Sequence, residues 1–137
     1  MAIKQISVFV ENKTGSMVEC TSLLAKAGID LKAMSIAEEQ EFGILRLIAS
    51  DTYTAVTTLK DAGYVVNVKD VVVAEMIDQP GGAGDIIALL AENNISIKYM
   101  YAFAGKKSAN LILRVDDPAK CENLLKQKGI KLIQESI

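Results

Sequence analysis

Two short turns carry the residues best suited to chemistry. Asn12-Lys13-Thr14-Gly15 follows the apolar run Ile6 to Val10, and Asp78-Gln79-Pro80-Gly81 follows the apolar run Val71 to Ile77. Asn12 and Asp78 lie 66 positions apart. Each turn reads as the passage from a strand into a helix. Glycine there permits a backbone conformation that a side chain would block and lets another molecule come close. The first N–H groups of a helix have no internal partners, and with the helix dipole they attract a carboxylate. The side chain at the first turn position accepts hydrogen bonds such as an ammonium group donates. Donors for an α-carboxylate thus stand beside an acceptor for an α-ammonium, and a free amino acid carries both at short spacing. The alternative is that Asn12 and Asp78 only cap the turns that Gly15 and Gly81 allow.

The repeat extends well beyond the turns. Leu23-Leu24-Ala25 matches Leu89-Leu90-Ala91, Ile29 matches Ile95, and Lys32 and Met34 match Lys98 and Met100. Further on, Leu45-Arg46 matches Leu113-Arg114, Leu59-Lys60 matches Leu125-Lys126, and Gly63 matches Gly129. A chain of 137 residues is ordinarily one domain, but the duplication divides it into two units, residues 1–69 and 70–137. A unit that small buries limited surface alone, so the two are expected to pack on each other. No Pro/Gly/Ser linker separates them.

Pattern and turn residues predict the elements. In the first unit they are a strand from Ile3 to Val10, a helix from Gly15 to Ala27 with a stripe of Met17, Leu23, Leu24 and Ala27, and a strand from Leu31 to Ala37. A polar turn over Glu38 to Glu41, a strand from Phe42 to Ala49, a helix from Thr54 to Ala62 and a strand from Tyr64 to Val68 follow. The second unit has strands Val71 to Ile77, Ser96 to Ala104, Ala109 to Val115 and Lys131 to Glu135, and helices Gly82 to Asn93 and Pro118 to Lys128. Asp51 or Thr52, and Asp117, are placed as helix caps, and Gly105 to Ser108 as a hairpin turn. The order β-α-β-β-α-β, twice, is the ferredoxin-like α+β unit.

Composition excludes several functions. The chain has no His, which removes the commonest general base and metal ligand, so neither a catalytic residue nor a metal site is expected. Cys20 and Cys121 stand far apart, each on a predicted helix, and read as small buried hydrophobes. The net charge of −2 supplies no basic field for nucleic acid or anionic lipid. Met1-Ala2-Ile3-Lys4-Gln5 opens straight into a strand without a leader pattern, and no apolar stretch is long enough to span a membrane, so a cytoplasmic protein is expected.

The duplicated topology with Asp78-x-Pro-Gly81 and Asn12-x-x-Gly15 at the strand-to-helix junctions resembles the ACT domain family, as do Ala27-Gly28-Ile29-Asp30-Leu31 and Gly43-Ile44-Leu45-Arg46-Leu47. The resemblance covers essentially the whole chain as two ACT units with no attached enzyme. The first turn departs from the motif by Asn for Asp and Thr for Pro. What the resemblance implies is a pseudo-symmetric pair with a combined antiparallel sheet, and regulation by a bound amino acid or similar metabolite, with no cofactor. It also implies ligand sites where the turn of one unit meets the second strand of its neighbour. Carried onto this chain, those sites involve Asn12, Gly15, Ser16 and Met17, and Asp78, Gly81, Gly82 and Ala83. Strand residues near Leu31 and Ser35, and near Ile97, Tyr99 and Tyr101, would complete them.

The two copies differ where a ligand would sit. Tyr99, Tyr101 and Phe103 alternate along one strand, where the first unit has Ala33, Ser35 and Ala37. They make either a packing surface or an aromatic wall for a ligand side chain. Arg46 and Arg114 are expected on the face away from the helices, and Ile44, Ile48 and Ile112 on that face are expected to invite a homodimer partner. A regulated metabolic enzyme is a further expected partner. Two rivals remain: a protein-interaction module without a small ligand, and an acylphosphatase-like enzyme, which would need an Arg-bearing loop after the first strand that the chain lacks.

Overall fold

The computed structural model describes residues 3–38, 41–104 and 108–134. Two compact units are present: one is Lys4–Lys69, and the other begins at Asp70 and takes in Ile3. The elements run β1 (Ile3–Glu11), α1 (Ser16–Lys26), β2 (Leu31–Glu38), β3 (Phe42–Ala49), α2 (Thr52–Asp61), β4 (Val66–Met76), α3 (Gly82–Glu92), β5 (Ile97–Ala104), β6 (Ala109–Val115), α4 (Pro118–Gln127) and β7 (Leu132–Ile133). This is β-α-β-β-α-β twice, the architecture read from the sequence, with the single strand β4 ending the first copy and beginning the second.

In the first unit β3 lies between β2 and β1, antiparallel to both, with Val8 opposite Leu45 and Met34 opposite Leu47. On the far side of β1, the N–H of Phe9 donates to the Val65 carbonyl at 3.1 Å, just before β4 begins. In the second unit β6 lies between β5 and β4, and β7 pairs with the other edge of β4. The matching bond runs from the Glu75 N–H to the Lys131 carbonyl at 2.9 Å.

Each helix is held to its sheet by a buried pair one turn apart: Cys20 and Leu24 on α1, Ala55 and Leu59 on α2, Ile86 and Leu90 on α3, Cys121 and Leu125 on α4. Spacing of four residues puts both members on one helical face. Ile6, Val8, Val10, Leu45 and Leu47 meet the first two pairs, and Val72, Ala74, Leu111, Leu113 and Val115 meet the last two. Burying a side chain of leucine size stabilises by about 1.5–3 kcal/mol, so these pairs dominate helix docking. The α1 stripe therefore runs through Cys20 and Leu24. Leu23, which the sequence stripe included, is only half-buried, and Ala27 is exposed at the C-cap.

The helix ends repeat as closely. Gly28 has φ 75°, and the residue in the same place of the second unit is Asn94 with φ 56°. Asparagine tolerates that left-handed geometry better than other side chains. Asp51 and Asp117 cap α2 and α4, accepting from the N–H of Thr54 and of Lys120, each at 3.1 Å.

Three differences from the sequence reading stand out. Tyr64–Val68 and Val71–Ile77 were expected as two strands, whereas β4 is one strand from Val66 to Met76. Asn67, Lys69 and Asp70 are polar but are neither Gly nor Pro, and polarity alone does not turn an extended backbone. Second, the last strand is shorter than Lys131 to Glu135: it is Leu132–Ile133, and Glu135 lies outside the described residues. Third, the helix-free face offers less apolar surface than expected, since Ile48 and Ile112 are buried and Ile44 is half-buried. Residues 39–40 of the expected acidic turn and 105–107 of the expected hairpin turn also lie outside the described residues. Among the described residues no helix is long and apolar enough to cross a membrane.

Burial of the two thiols has a measurable consequence. Both are free, and desolvation pushes each up from 9.0 to about 11, with the carboxylates of Glu122, Asp116 and Asp117 adding to the effect at Cys121. The folded chain then holds these protons to higher pH than the unfolded chain does. That contribution is complete below about pH 9 and is lost as pH rises towards about 11. The urea midpoint is expected to fall across that window, and to fall less in a Cys20→Ala/Cys121→Ala variant. Equal slopes for the two proteins would show that the thiols are not responsible.

Candidate functional site

The two strand-to-helix turns are built almost identically. Gly15 has φ 92° and ψ −12°, and Gly81 has φ 90° and ψ −9°. Other residues pay about 1–2 kcal/mol in this left-handed region. In the first turn the N–H of Lys13 donates to Glu11 C=O at 2.9 Å, Ser16 to Lys13 at 3.3 Å and Glu19 to Gly15 at 3.2 Å. In the second, Gln79 donates to Ile77 at 2.9 Å, Gly82 to Gln79 at 3.0 Å and Asp85 to Gly81 at 2.9 Å. The N–H groups of Met17 and Val18, and of Ala83 and Gly84, receive no carbonyl from their turns. These are the donors an anion would use.

The capping alternative for Asn12 and Asp78 fails on this geometry. The N-cap residues are Gly15 and Gly81, and neither helix start receives a side-chain hydrogen bond. Asn12 and Asp78 are exposed, and backbone hydrogen bonds hold each turn without them. Both side chains remain available as acceptors.

The turns differ at the first helical residue. In α3 it is Gly82, where an added Cβ would lie 2.1 Å from the Ile77 carbonyl oxygen. The glycine run of the second turn thus serves, at this position, a close approach within the chain itself. In α1 the first residue is Ser16, which is 7% exposed and whose Oγ has no hydrogen-bond partner. A buried hydroxyl left unpaired costs about 1–3 kcal/mol.

Ser16 also lines a cleft of about 760 Å³ in the first unit. Phe9, Val10 and Glu11 at the end of β1 form one side, Lys13 to Lys26 of the turn and α1 another, and Ala62 to Val65 a third, with Phe42 at the rim. Phe9, Phe42 and Val65 are exposed. Lys13 pairs with Glu11 at 2.9 Å, and that hydrogen bond, more than the nearby charge of Glu19, holds its ammonium above the usual lysine range.

Of the residues expected at the sites, the structure gathers only some. Asn12, Gly15, Ser16 and Met17 cluster at one turn, and Asp78, Gly81, Gly82 and Ala83 at the other. The strand candidates are split between two faces. A register shift follows Leu31 in β2 and Ile97 in β5, and these two side chains pack into the helix-side cores. Ser35 pairs with Arg46, and Tyr99 and Tyr101 pair with Arg114 and Ile112, on the helix-free face. Arg114 Nη1 there donates to the Asp70 carbonyl at 3.3 Å and the Val115 carbonyl at 3.2 Å. Within a unit these strand residues do not join their own turn, because β3 or β6 intervenes. The cleft walls Phe9, Phe42, Ser22, Lys26 and Ala62–Val65 escaped the sequence reading, and the one available signal was the pair of outward aromatics beside the turn. Among the described residues no group of His, Cys, Asp and Glu could hold a metal ion.

The pattern described as "ACT domain pair" matches residues 1–136. A crystal structure of a Bacteroides thetaiotaomicron protein is similar at TM-score 0.92 and 41% identity, over 97% of this chain and 92% of that one. The regulatory subunit of aspartate kinase from Thermus thermophilus, in its ligand-free form, matches at TM-score 0.69 and 12% identity, over 93% of each chain. The corresponding subunit from Thermus flavus matches at TM-score 0.68 and 14% identity, over 92% of this chain and 90% of that one. At those identities the kinase subunits share the fold. No curated protein matches the chain.

The second turn makes a contrast between neighbouring glycines. Gly82→Ala forces a Cβ against the Ile77 carbonyl and is expected to lower the thermal midpoint by several degrees. Gly84→Ala meets nothing within 4 Å and gains helix propensity of up to about 1 kcal/mol, so it is expected to raise the midpoint. Equal midpoints for the two variants would contradict the turn geometry.

Proposed function

Since this chain belongs to the ACT domain family, matching it as an ACT domain pair over residues 1–136, we propose that it is a regulatory protein that binds an amino acid at its second strand-to-helix turn. The observation that carries this reading is the second turn. Asp78 is exposed and caps nothing, and it stands beside helix N–H groups without carbonyl partners. A carboxylate acceptor and a set of carboxylate donors, separated by one tight turn, match the two charged ends of a zwitterion. The regulatory part of the reading is supported by fold-level likeness to subunits that are themselves described as regulatory. By the same reasoning its target is a metabolic enzyme.

A protein-interaction role has one specific observation in its favour. Met34 and Ile36 are exposed, at 48% and 50%, on β2, whose partner among the described residues is β3 alone. An apolar edge strand is a place where another chain can dock.

A thermal-shift panel of the amino acids at millimolar concentration separates the two. A ligand present at 100 times its dissociation constant stabilises by about 2.7 kcal/mol. At least one amino acid is expected to raise the midpoint in the wild-type protein, with the shift lost in Asp78→Ala. A flat panel would leave the interaction role standing and overturn the amino-acid reading.

A further inference from the structure

The cleft of the first unit differs chemically from the second turn, and the difference points to a second kind of ligand. We propose that this cleft binds an apolar monocarboxylate without an α-ammonium group, such as an α-keto acid. The inference goes beyond the amino-acid reading and rests on residues of the first unit only.

The anion end is provided for. The Met17 and Val18 N–H groups at the start of α1 have no carbonyl partner, and the buried Ser16 Oγ beside them has no partner of any kind. The second unit has Gly82 in place of Ser16 and offers no such hydroxyl. A carboxylate accepting from the helix start, and from Ser16 once its hydroxyl turns towards the cleft, would satisfy groups that folding leaves unpaired.

The ammonium end is less well provided for than at the second turn. Asn12 is neutral where the second turn has Asp78. Of the two carboxylates that line the cleft, Glu11 is engaged by Lys13 at 2.9 Å. The charged residues along the cleft cancel: Lys13 and Lys26 against Glu11 and Glu19. A ligand with a single negative charge loses nothing here by lacking the positive one.

The body of the cleft is apolar where the second unit is charged. Phe9 and Val65 flank the backbone bond between them, and Phe9 is 42% and Val65 65% exposed. The residues at the same places of the second unit are Glu75 and Lys131, which form an ion pair at 3.6 Å. With Val18, Phe42 and Tyr64, the first unit lines its cleft with aliphatic and aromatic surface. A volume of about 760 Å³ lies within the usual range for small-molecule sites.

Isothermal titration of the intact chain with two matched pairs tests this: phenylpyruvate against phenylalanine, and α-ketoisocaproate against leucine. At least one keto acid is expected to bind, more tightly than its amino acid at the same site. Ser16→Ala is expected to weaken the keto acid at least about tenfold without lowering the thermal midpoint, because it removes an unpaired buried hydroxyl. A Phe9→Glu/Val65→Lys variant, which installs the ion pair of the second unit, is expected to abolish binding. Asp78→Ala is expected to leave keto-acid binding unchanged, which separates this site from the one proposed above. Absence of keto-acid binding to the folded wild type, or equal affinity in Ser16→Ala, overturns the proposal. So does loss of keto-acid binding in Asp78→Ala.

Discussion

Docking of each helix through two buried side chains one turn apart is the interaction on which everything else rests. Cys20 with Leu24, and Ile86 with Leu90, fix how α1 and α3 are rotated about their axes and how far along the sheet they sit. That placement decides where each helix begins, and so where its unbonded N–H groups lie. Without it, the left-handed residues at Gly15 and Gly81 would be only tight bends. With it, they aim a row of donors at one spot above the end of a strand. The clusters under the helices are apolar, and the buried polar residues of the helices are Ser16 and Glu122.

Much of the fold was legible because local chemistry and long-range pattern agreed. The β3 and β6 boundaries match their predictions residue for residue, since polar turn residues or cap acids flank both strands. Asp117 followed by Pro118 marked the start of α4 equally well. The repeat then doubled the weight of each signal. The continuity of β4 was not legible, because the residues between its two halves look like a turn by polarity while lacking anything that forces one. Nor was the bulge after Leu31 and Ile97, which turns those side chains into the core and sends Ser35, Tyr99 and Tyr101 to the opposite face. A strict alternation along the strand cannot reveal a register shift, which is set by pairing with the neighbouring strand.

The turns were the part of the candidate site that sequence could point to, because a motif of four residues is contiguous. The cleft was not, since its walls come from β1, α1 and the loop after α2. Phe9 is the one aromatic between Ile3 and Val10, and only the fold brings it to Val65 and the start of α1. The orphaned Ser16 hydroxyl was equally hidden. A serine opening a helix is ordinary, and its lack of a partner is a property of the packed structure.

Both turns are held by main-chain hydrogen bonds and a glycine, with no help from Asn12 or Asp78. Recognition and folding are thereby decoupled at these positions. The tip residues can be exchanged without disturbing the bend, so a duplicated gene for this chain holds two copies of a socket that can drift apart in chemistry while remaining the same in shape. Asn12 and Asp78, at equivalent places of the repeat, already differ in charge. Altering the chemistry of either tip would then require a change of side chain and no new architecture.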